Sequence, residues 1–251
     1  MLAVISPSKT QDFETTPKDK YTQPRQVTDS MDLISILREK SPEDLGQLMS
    51  ISDKLSSLNY DRFQSFSSNF SKTNAKQAID AFKGDVYNGI DAPSLSPEDL
   101  DFAQQHVRML SGLYGVLRPL DLIQPYRLEM GTQLRNPRGK NLYEFWGSRI
   151  SEVLNKDETD VIINLASNEY FKGIDKGALN ARIIDIVFKE NKNNKLKVIG
   201  IYAKRARGLM IRYMIDNRIE APELLKQFNT EGYQFSEELS SDSSFVFTRD
   251  I

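Results

Sequence analysis

The sequence predicts an α+β protein: a mixed sheet with several helices in a single compact domain spanning residues 1–251. Three observations carry this. Leu2–Ile5 and the run DVIINL at Asp160–Leu165 are short apolar stretches bounded by polar residues, the pattern of buried strands. Ser41-Pro42-Glu43-Asp44 and Ser96-Pro97-Glu98-Asp99 are helix starts. Each offers a capping hydroxyl, a proline whose missing N–H costs nothing there, and acids beside the positive end of the helix dipole. The elements run strand, several helices, strand, hairpin strands, helix, strands. That order does not alternate regularly enough for a doubly wound sheet.

Composition narrows the function. Apolar residues make up 39% and charged residues 27%, which suits a globular chain rather than a disordered one. The formal net charge is -2, so any anionic partner must meet a local basic patch instead of a generally basic surface. There is no cysteine, which excludes disulfides, thiolate nucleophiles, zinc fingers and a cysteine peroxide switch. The single histidine, His106, excludes a histidine metal cluster and argues against a histidine triad. No metal site and no cofactor are expected. The opening MLAVISPSKT lacks a signal-peptide pattern. No stretch approaches the ~20 apolar residues of a membrane span. A cytoplasmic monomer without membrane association is the default expectation.

The elements follow in order. The first strand ends in Ser6-Pro7-Ser8, then Lys9 and Thr10. A small-residue turn with Lys and Thr can hold an anion, although the glycines of a phosphate loop are absent. A plain turn with an exposed lysine would look the same. Asp12–Asp29 reads as loop and Ser30–Lys40 as an amphipathic helix carrying Met31, Ile34 and Leu37. The helix from Ser41 buries Leu45, Leu48 and Met49; Ser52 can cap the next, through Leu55, Leu58 and Phe63. Together they form a candidate helix–hairpin–helix over residues 42–66, with Lys54 beside a backbone phosphate. Ser50 and Ser52 replace the usual hairpin glycines and Asp53 adds a repulsive charge, so the residues alone also fit two plainly packed helices.

Ala75–Phe82 reads as helix, broken at Gly84. Lys83, Asp85 and Tyr87 lie between glycines, as a positioned site or a salt-bridged turn would require. The helix from Ser96 keeps helical spacing through His106 and Met109 to Leu113. Gly115, Pro119 and Pro125 then rule out its continuation. The connection to Leu134 holds Arg118, Asp121, Gln124, Arg127 and Glu129 among Leu, Ile, Met and Tyr. It is either an ion-pair network under a packed loop or an arginine-lined pocket for a phosphate or carboxylate. Tyr143–Leu154 is amphipathic, with Trp146 as a core anchor.

Ser167, Asn168 and Glu169 follow the second buried strand, at a strand end where α/β folds bind ligands. Ser167 can cap a helix and Glu169 can pair an arginine. A serine nucleophile lacks both a histidine and a GxSxG turn. Arg182–Lys189 and Leu196–Tyr202 are β-patterned and joined by ENKNNK, a hairpin signal. On the following helix, Lys204, Arg205, Arg207 and Arg212 share one broad face, opposite Ala206, Leu209, Met210, Tyr213 and Met214. Residues 203–215 hold no acid, and cations near a helix N-terminus oppose its dipole by roughly 0.3–1 kcal/mol each. A bound polyanion, or acids such as Glu169 or Asp121, would offset this. Ala221–Phe228 and short strands at Tyr233–Phe235 and Phe245–Thr248 close the chain around a Ser240–Ser244 loop.

ISPSKT, LMSISDKL, FKGDVYNG, LSGLYGVLRPLDLIQPYRLEMG, NLASNEYF and AKRARGLMIRYMI, in this order, resemble the peroxide stress protein YaaA family along nearly the whole chain. The resemblance implies a distinctive fold with a helix–hairpin–helix element and a positively charged cleft. It also implies DNA binding in the response to hydrogen peroxide, with DNA protected and free iron lowered. Double-stranded DNA or another nucleic acid would then be held through its phosphates. The contacts would come from Lys9, Lys54, Lys83, Arg118, Arg127, Lys204, Arg205, Arg207 and Arg212, salt-dependently and almost blind to sequence. Tyr87, Asp121, Glu129, Ser167 and Glu169 would be the polar groups of the pocket.

The alternative is an enzyme acting on a nucleotide or nucleic-acid base, with Glu169 or Asp121 as a desolvated base. Direct iron binding ranks last, since only carboxylates could serve and no Glu-x-x-His pair exists. The discriminating observation is where Lys9, Arg118, Arg127, Glu169 and Arg207 lie. Convergence in a closed pocket favours chemistry, and spread along an open cleft favours DNA.

Overall fold

The N-terminal apolar run forms β1 (Leu2–Ile5), wholly buried, in the computed structural model, which describes residues 1–193 and 195–251. A long loop leads to α1 (Val27–Arg38), which buries Leu33, Ile34 and Leu37. The next helix, α2 (Pro42–Met49), begins as its sequence dictates. Ser41 Oγ accepts the Asp44 amide while the Asp44 carboxylate accepts the Ser41 amide, satisfying two donors that a helix start leaves orphaned. Ser50 takes a left-handed φ of 52° and reverses the chain into α3 (Asp53–Ser65), which packs against α2. Ser52 sits at the N-cap of α3 but its side chain makes no capping bond.

The single helix expected over Ala75–Phe82 is instead β2 (Lys76–Gln77) and α4 (Ala78–Ala81), followed by α5 (Asp85–Ile90). After the same reciprocal cap between Ser96 and Asp99, α6 (Pro97–His106) ends at His106 and not at Leu113. Val107–Ser111 is β3, with all five residues buried. A strand covered on both faces has no polar alternation, so its pattern cannot be told from a buried helix by periodicity. β4 (Gly115–Leu117) turns back on β3, and β5 (Leu122–Ile123) pairs with β2 in a separate two-stranded sheet. The helix expected over Tyr143–Leu154 is two, α7 (Leu142–Trp146) and α8 (Arg149–Asn155), broken at Gly147 with φ 48°. Trp146 is fully buried, as expected of an anchor, and donates its indole N–H to the Gly112 carbonyl at 3.0 Å.

Then come β6 (Val161–Leu165), α9 (Asn168–Phe171) and β7 (Arg182–Lys192). β8 (Lys195–Lys197) forms the expected antiparallel hairpin with β7; Asn194, in the predicted ENKNNK turn, lies outside the described residues. β8 stops well short of Tyr202, because α10 (Gly200–Asp216) has already begun. Leu196, Val198 and Ile201 are exposed, so no burial rewards a longer strand. Two 3₁₀ turns, at Pro222–Gln227 and Thr230–Gly232, lead to β9 (Gln234–Phe235) and β10 (Ser244–Asp250).

The main sheet is mixed, in the order β4-β3-β1-β6-β7-β10-β9 with β8 added on β7. β3, β1, β6, β7 and β10 are mutually parallel, while β4 and β9 run antiparallel at the edges. The sequence order hid this parallel centre because α1 to α6 all intervene between β1 and β3. The order also creates a divergence. The chain leaving β1 reaches its next parallel strand, β3, on one side; the chain leaving β6 reaches β7 on the other. Where neighbouring strands send their connections opposite ways, a crevice opens beyond their carboxyl ends. No helix among the described residues is long and apolar enough to cross a membrane.

Candidate functional site

The crevice between the ends of β1 and β6 is occupied by no side chain. It encloses about 410 Å³, within the roughly 300–1,000 Å³ of small-molecule sites. Its floor joins the two strand ends: the Ser167 amide donates to Ser6 Oγ at 2.9 Å, and Ser6 Oγ lies 3.3 Å from Ser167 Oγ. Tyr87 Oη donates to the Ser6 carbonyl at 3.0 Å, tying α5 to the end of β1. Gly84, at φ +107°, allows the turn that brings Lys83 and Asp85 to the rim.

The last wall is α10, brought in by a glycine crossing. A Cβ on Gly208 would lie 1.9 Å from the Val86 carbonyl oxygen, and one on Gly89 would lie 2.6 Å from the Arg205 carbonyl oxygen. Without side chains at these two positions, α5 and α10 pack backbone to backbone. Lys204 and Arg207, one turn apart, therefore line the crevice with Lys9 and Lys83.

Four cations (Lys9, Lys83, Lys204, Arg207) line the crevice against two acids, Asp85 and Glu169, so it is electropositive in a mildly acidic chain. The cations are not equivalent. Lys9 Nζ lies 2.6 Å from Glu129 Oε2, and Arg127 bonds the other oxygen of that carboxylate at 3.1 Å. Lys83 lies 3.4 Å from Asp12. The Glu14 amide, ahead of the charges of Lys76 and Lys83, holds the Asp12 carboxyl down at about 2 despite partial burial. Lys204 and Arg207 have no carboxylate partner among the described residues. The Arg207 Nε is buried without a hydrogen-bond partner, and burial lowers the guanidinium from its ordinary range. It remains a cation at neutral pH, because guanidinium is not deprotonated in proteins.

Glu169 is the opposite case, an acid with no cation partner among the described residues. Its Oε1 accepts the Gly131 amide at 3.0 Å, and its main-chain carbonyl accepts the Tyr143 hydroxyl at 2.9 Å. Burial pushes the hydroxyl pKa of Tyr87 and Tyr170 upward, so both stay neutral donors. Ser167, expected as a helix cap, makes no capping bond and serves instead through its amide.

Several predicted residues lie elsewhere. Arg118 and Asp121 do not line the crevice. Arg118 binds Asp121 through Nε and Nη2 at 3.1 and 2.9 Å, and Asp121 is fully buried, so this pair is a structural clamp. The single basic face expected on α10 is divided. Arg205 pairs with Glu231 at 2.6 Å, and Arg212 with Asp216 at 2.8 Å and Asp91 at 3.9 Å. The acids that offset these cations are thus Glu231, Asp216 and Asp91, not Glu169 or Asp121. Arg127 and Glu129 line a small recess next to the crevice, shared with Lys9 and Tyr170. Lys54 is exposed in the first turn of α3 and does not reach the crevice. Of the five diagnostic residues, then, Lys9, Glu169 and Arg207 converge, Arg127 adjoins them and Arg118 stands apart. Sequence reasoning missed Tyr170 as a wall of the site. Its place five residues after a buried strand was the available signal.

Residues 1–239 match the family described as Peroxide stress protein YaaA. A UPF0246 protein from Acaryochloris marina (strain MBIC 11017) is 56% identical over 99% of this chain and the whole of that relative. The chain therefore belongs to the peroxide stress protein YaaA family.

Proposed function

We propose that this member of a peroxide-stress family works by holding a phosphate-bearing nucleotide unit in the crevice between β1, α5, α9 and α10. The observation that carries this is Arg207, a half-buried guanidinium without a carboxylate partner on the wall of a 410 Å³ hollow. Leaving a desolvated charge uncompensated is costly. A phosphate meets that need with charge-assisted bonds to Arg207 and Lys204, and Lys83 and Lys9 add to the attraction. If turnover follows binding, Glu169 is the carboxylate available as a base.

The test is calorimetric titration of the wild type and Arg207→Gln with a nucleoside monophosphate and with inorganic phosphate. Wild type binds the nucleotide. Removing one charged phosphate contact costs about 1.5–3 kcal/mol, or roughly 10- to 150-fold in affinity. Absence of any heat with wild type would sink the proposal.

Binding of duplex DNA is the second reading. Exposed Lys54, at the start of α3 just after the reversal at Ser50, supports it, because the start of a helix is suited to a backbone phosphate. On this reading the helix–hairpin–helix and a basic cleft running from Lys54 to the crevice would carry DNA protection in the peroxide response. Among the described residues no three His, Cys, Asp or Glu side chains gather to hold a metal, so lowering of free iron is assigned here to an indirect route. Gel shifts separate the two readings. Lys54→Glu weakens duplex binding if α3 is the contact, and Arg205→Glu/Arg207→Glu weakens it if α10 is.

A further inference from the structure

We infer that the crevice selects ligands carrying a sugar cis-diol, so that a ribonucleotide binds better than its 2′-deoxy counterpart; this rests on the phosphate reading of the same site. The selecting group is Glu169. Four cations line the crevice, yet none of them bonds this carboxylate. It is held elsewhere and firmly. Oε1 takes the Gly131 amide, and the Tyr143 hydroxyl bonds its main-chain carbonyl. The approach is close: a Cβ on Gly131 would sit 3.3 Å from Oε1.

The other oxygen, Oε2, has no hydrogen-bond partner among the described residues, on a carboxylate that lines the hollow. A fixed acceptor with lone pairs to spare is matched by a donor on the ligand, not by a phosphate, which it would repel. Adjacent hydroxyls on a five-membered sugar present two such donors. In nucleotide-binding sheets an acidic group at a strand end is the usual partner of the ribose hydroxyls. Glu169 stands four residues beyond the end of β6 and lines the crevice together with Ser167 and Ser6. The crevice therefore pairs a cationic wall for phosphate with an anionic point for sugar hydroxyls, and a 2′-deoxy sugar leaves that point one donor short.

The experiment is equilibrium dialysis of AMP, 2′-deoxy-AMP and inorganic phosphate against wild type, Glu169→Gln and Arg207→Gln, with melting temperatures recorded for each. Glutamine keeps an oxygen for the Gly131 amide, so the variant retains its anchor. Wild type should prefer AMP over 2′-deoxy-AMP by about tenfold, the scale of one hydrogen bond to a charged acceptor. Glu169→Gln should lower that ratio to about threefold or less. Arg207→Gln should weaken both nucleotides and leave their ratio intact. Equal wild-type affinity for the two nucleotides, or a preference that survives Glu169→Gln, overturns the diol inference while leaving the phosphate reading standing. If wild type binds neither nucleotide nor phosphate, the phosphate reading falls and the diol inference falls with it. The wild-type comparison decides the matter alone if the Glu169 variant does not fold.

Discussion

Replacing Gly208 by alanine tests how the crevice is built. In the middle of a helix this change ordinarily stabilises, by roughly 0.5–1 kcal/mol, because glycine loses more freedom on folding. Here the new Cβ would lie 1.9 Å from the Val86 carbonyl oxygen, 2.8 Å from its carbon and 3.0 Å from the Gly89 Cα. All three are main-chain atoms and none can swing aside. Restoring an ordinary contact of about 3.4 Å requires α10 to retreat from α5 by about 1.5 Å. Overpacking of this kind costs about 1–3 kcal/mol. For a chain of this size that corresponds to a fall in Tm of roughly 2–12 °C. The same retreat carries Lys204 and Arg207 away from Lys83, so nucleotide affinity falls with stability. Differential scanning calorimetry on Gly208→Ala, with Gly200→Ala as control, reads the first effect. Gly200, the first residue of α10, has nothing within 4 Å of its would-be Cβ and should melt at or slightly above wild type. A Gly208→Ala protein that melts at or above wild type would refute the backbone-to-backbone crossing.

Two further outcomes follow from the charge arrangement. Arg118→Ala removes the cation paired with the fully buried Asp121, which keeps the Thr22 hydroxyl and the main-chain amide of residue 118 as donors; the cost is therefore at the low end for a buried pair, about 3 kcal/mol, visible as a lowered urea midpoint with the crevice itself untouched. Asp12 has a folded pKa of about 2, below the unfolded value near 3.9. Its contribution to stability is therefore complete above that unfolded value and is lost as pH falls toward 2. Thermal melts between pH 2 and pH 6 should show a shallower acid slope for Asp12→Asn than for wild type.

The parts of the fold legible in the sequence are those whose causes are local. The reciprocal caps at Ser41 and Ser96 need only four consecutive residues, and both helices start where the sequence says. β1 and β6 are visible because a short apolar run between polar residues has few other fates. β3 is not, since Val107–Ser111 is a strand by virtue of pairing with β1, remote in sequence, and its own apolar run carries no period that separates strand from helix. The site divides in the same way. Lys9 and Glu169 follow strand ends and could be placed by that fact. Which cations stay unpaired could not. Arg205 and Arg207 look alike on a helical wheel, and only the fold sets Glu231 beside Arg205 and none of the described acids beside Arg207. The Arg118–Asp121 clamp shows the converse, a motif rich in chemistry whose members satisfy each other.

The most direct test is a crystal structure of the wild-type protein soaked with a nucleoside monophosphate. The account predicts phosphate oxygens about 2.7–2.9 Å from the Arg207 guanidinium, with Lys204 alongside. A nucleotide seated at Lys54 on α3, or a crevice left empty at saturating ligand while Arg207 stays unpartnered, would contradict it.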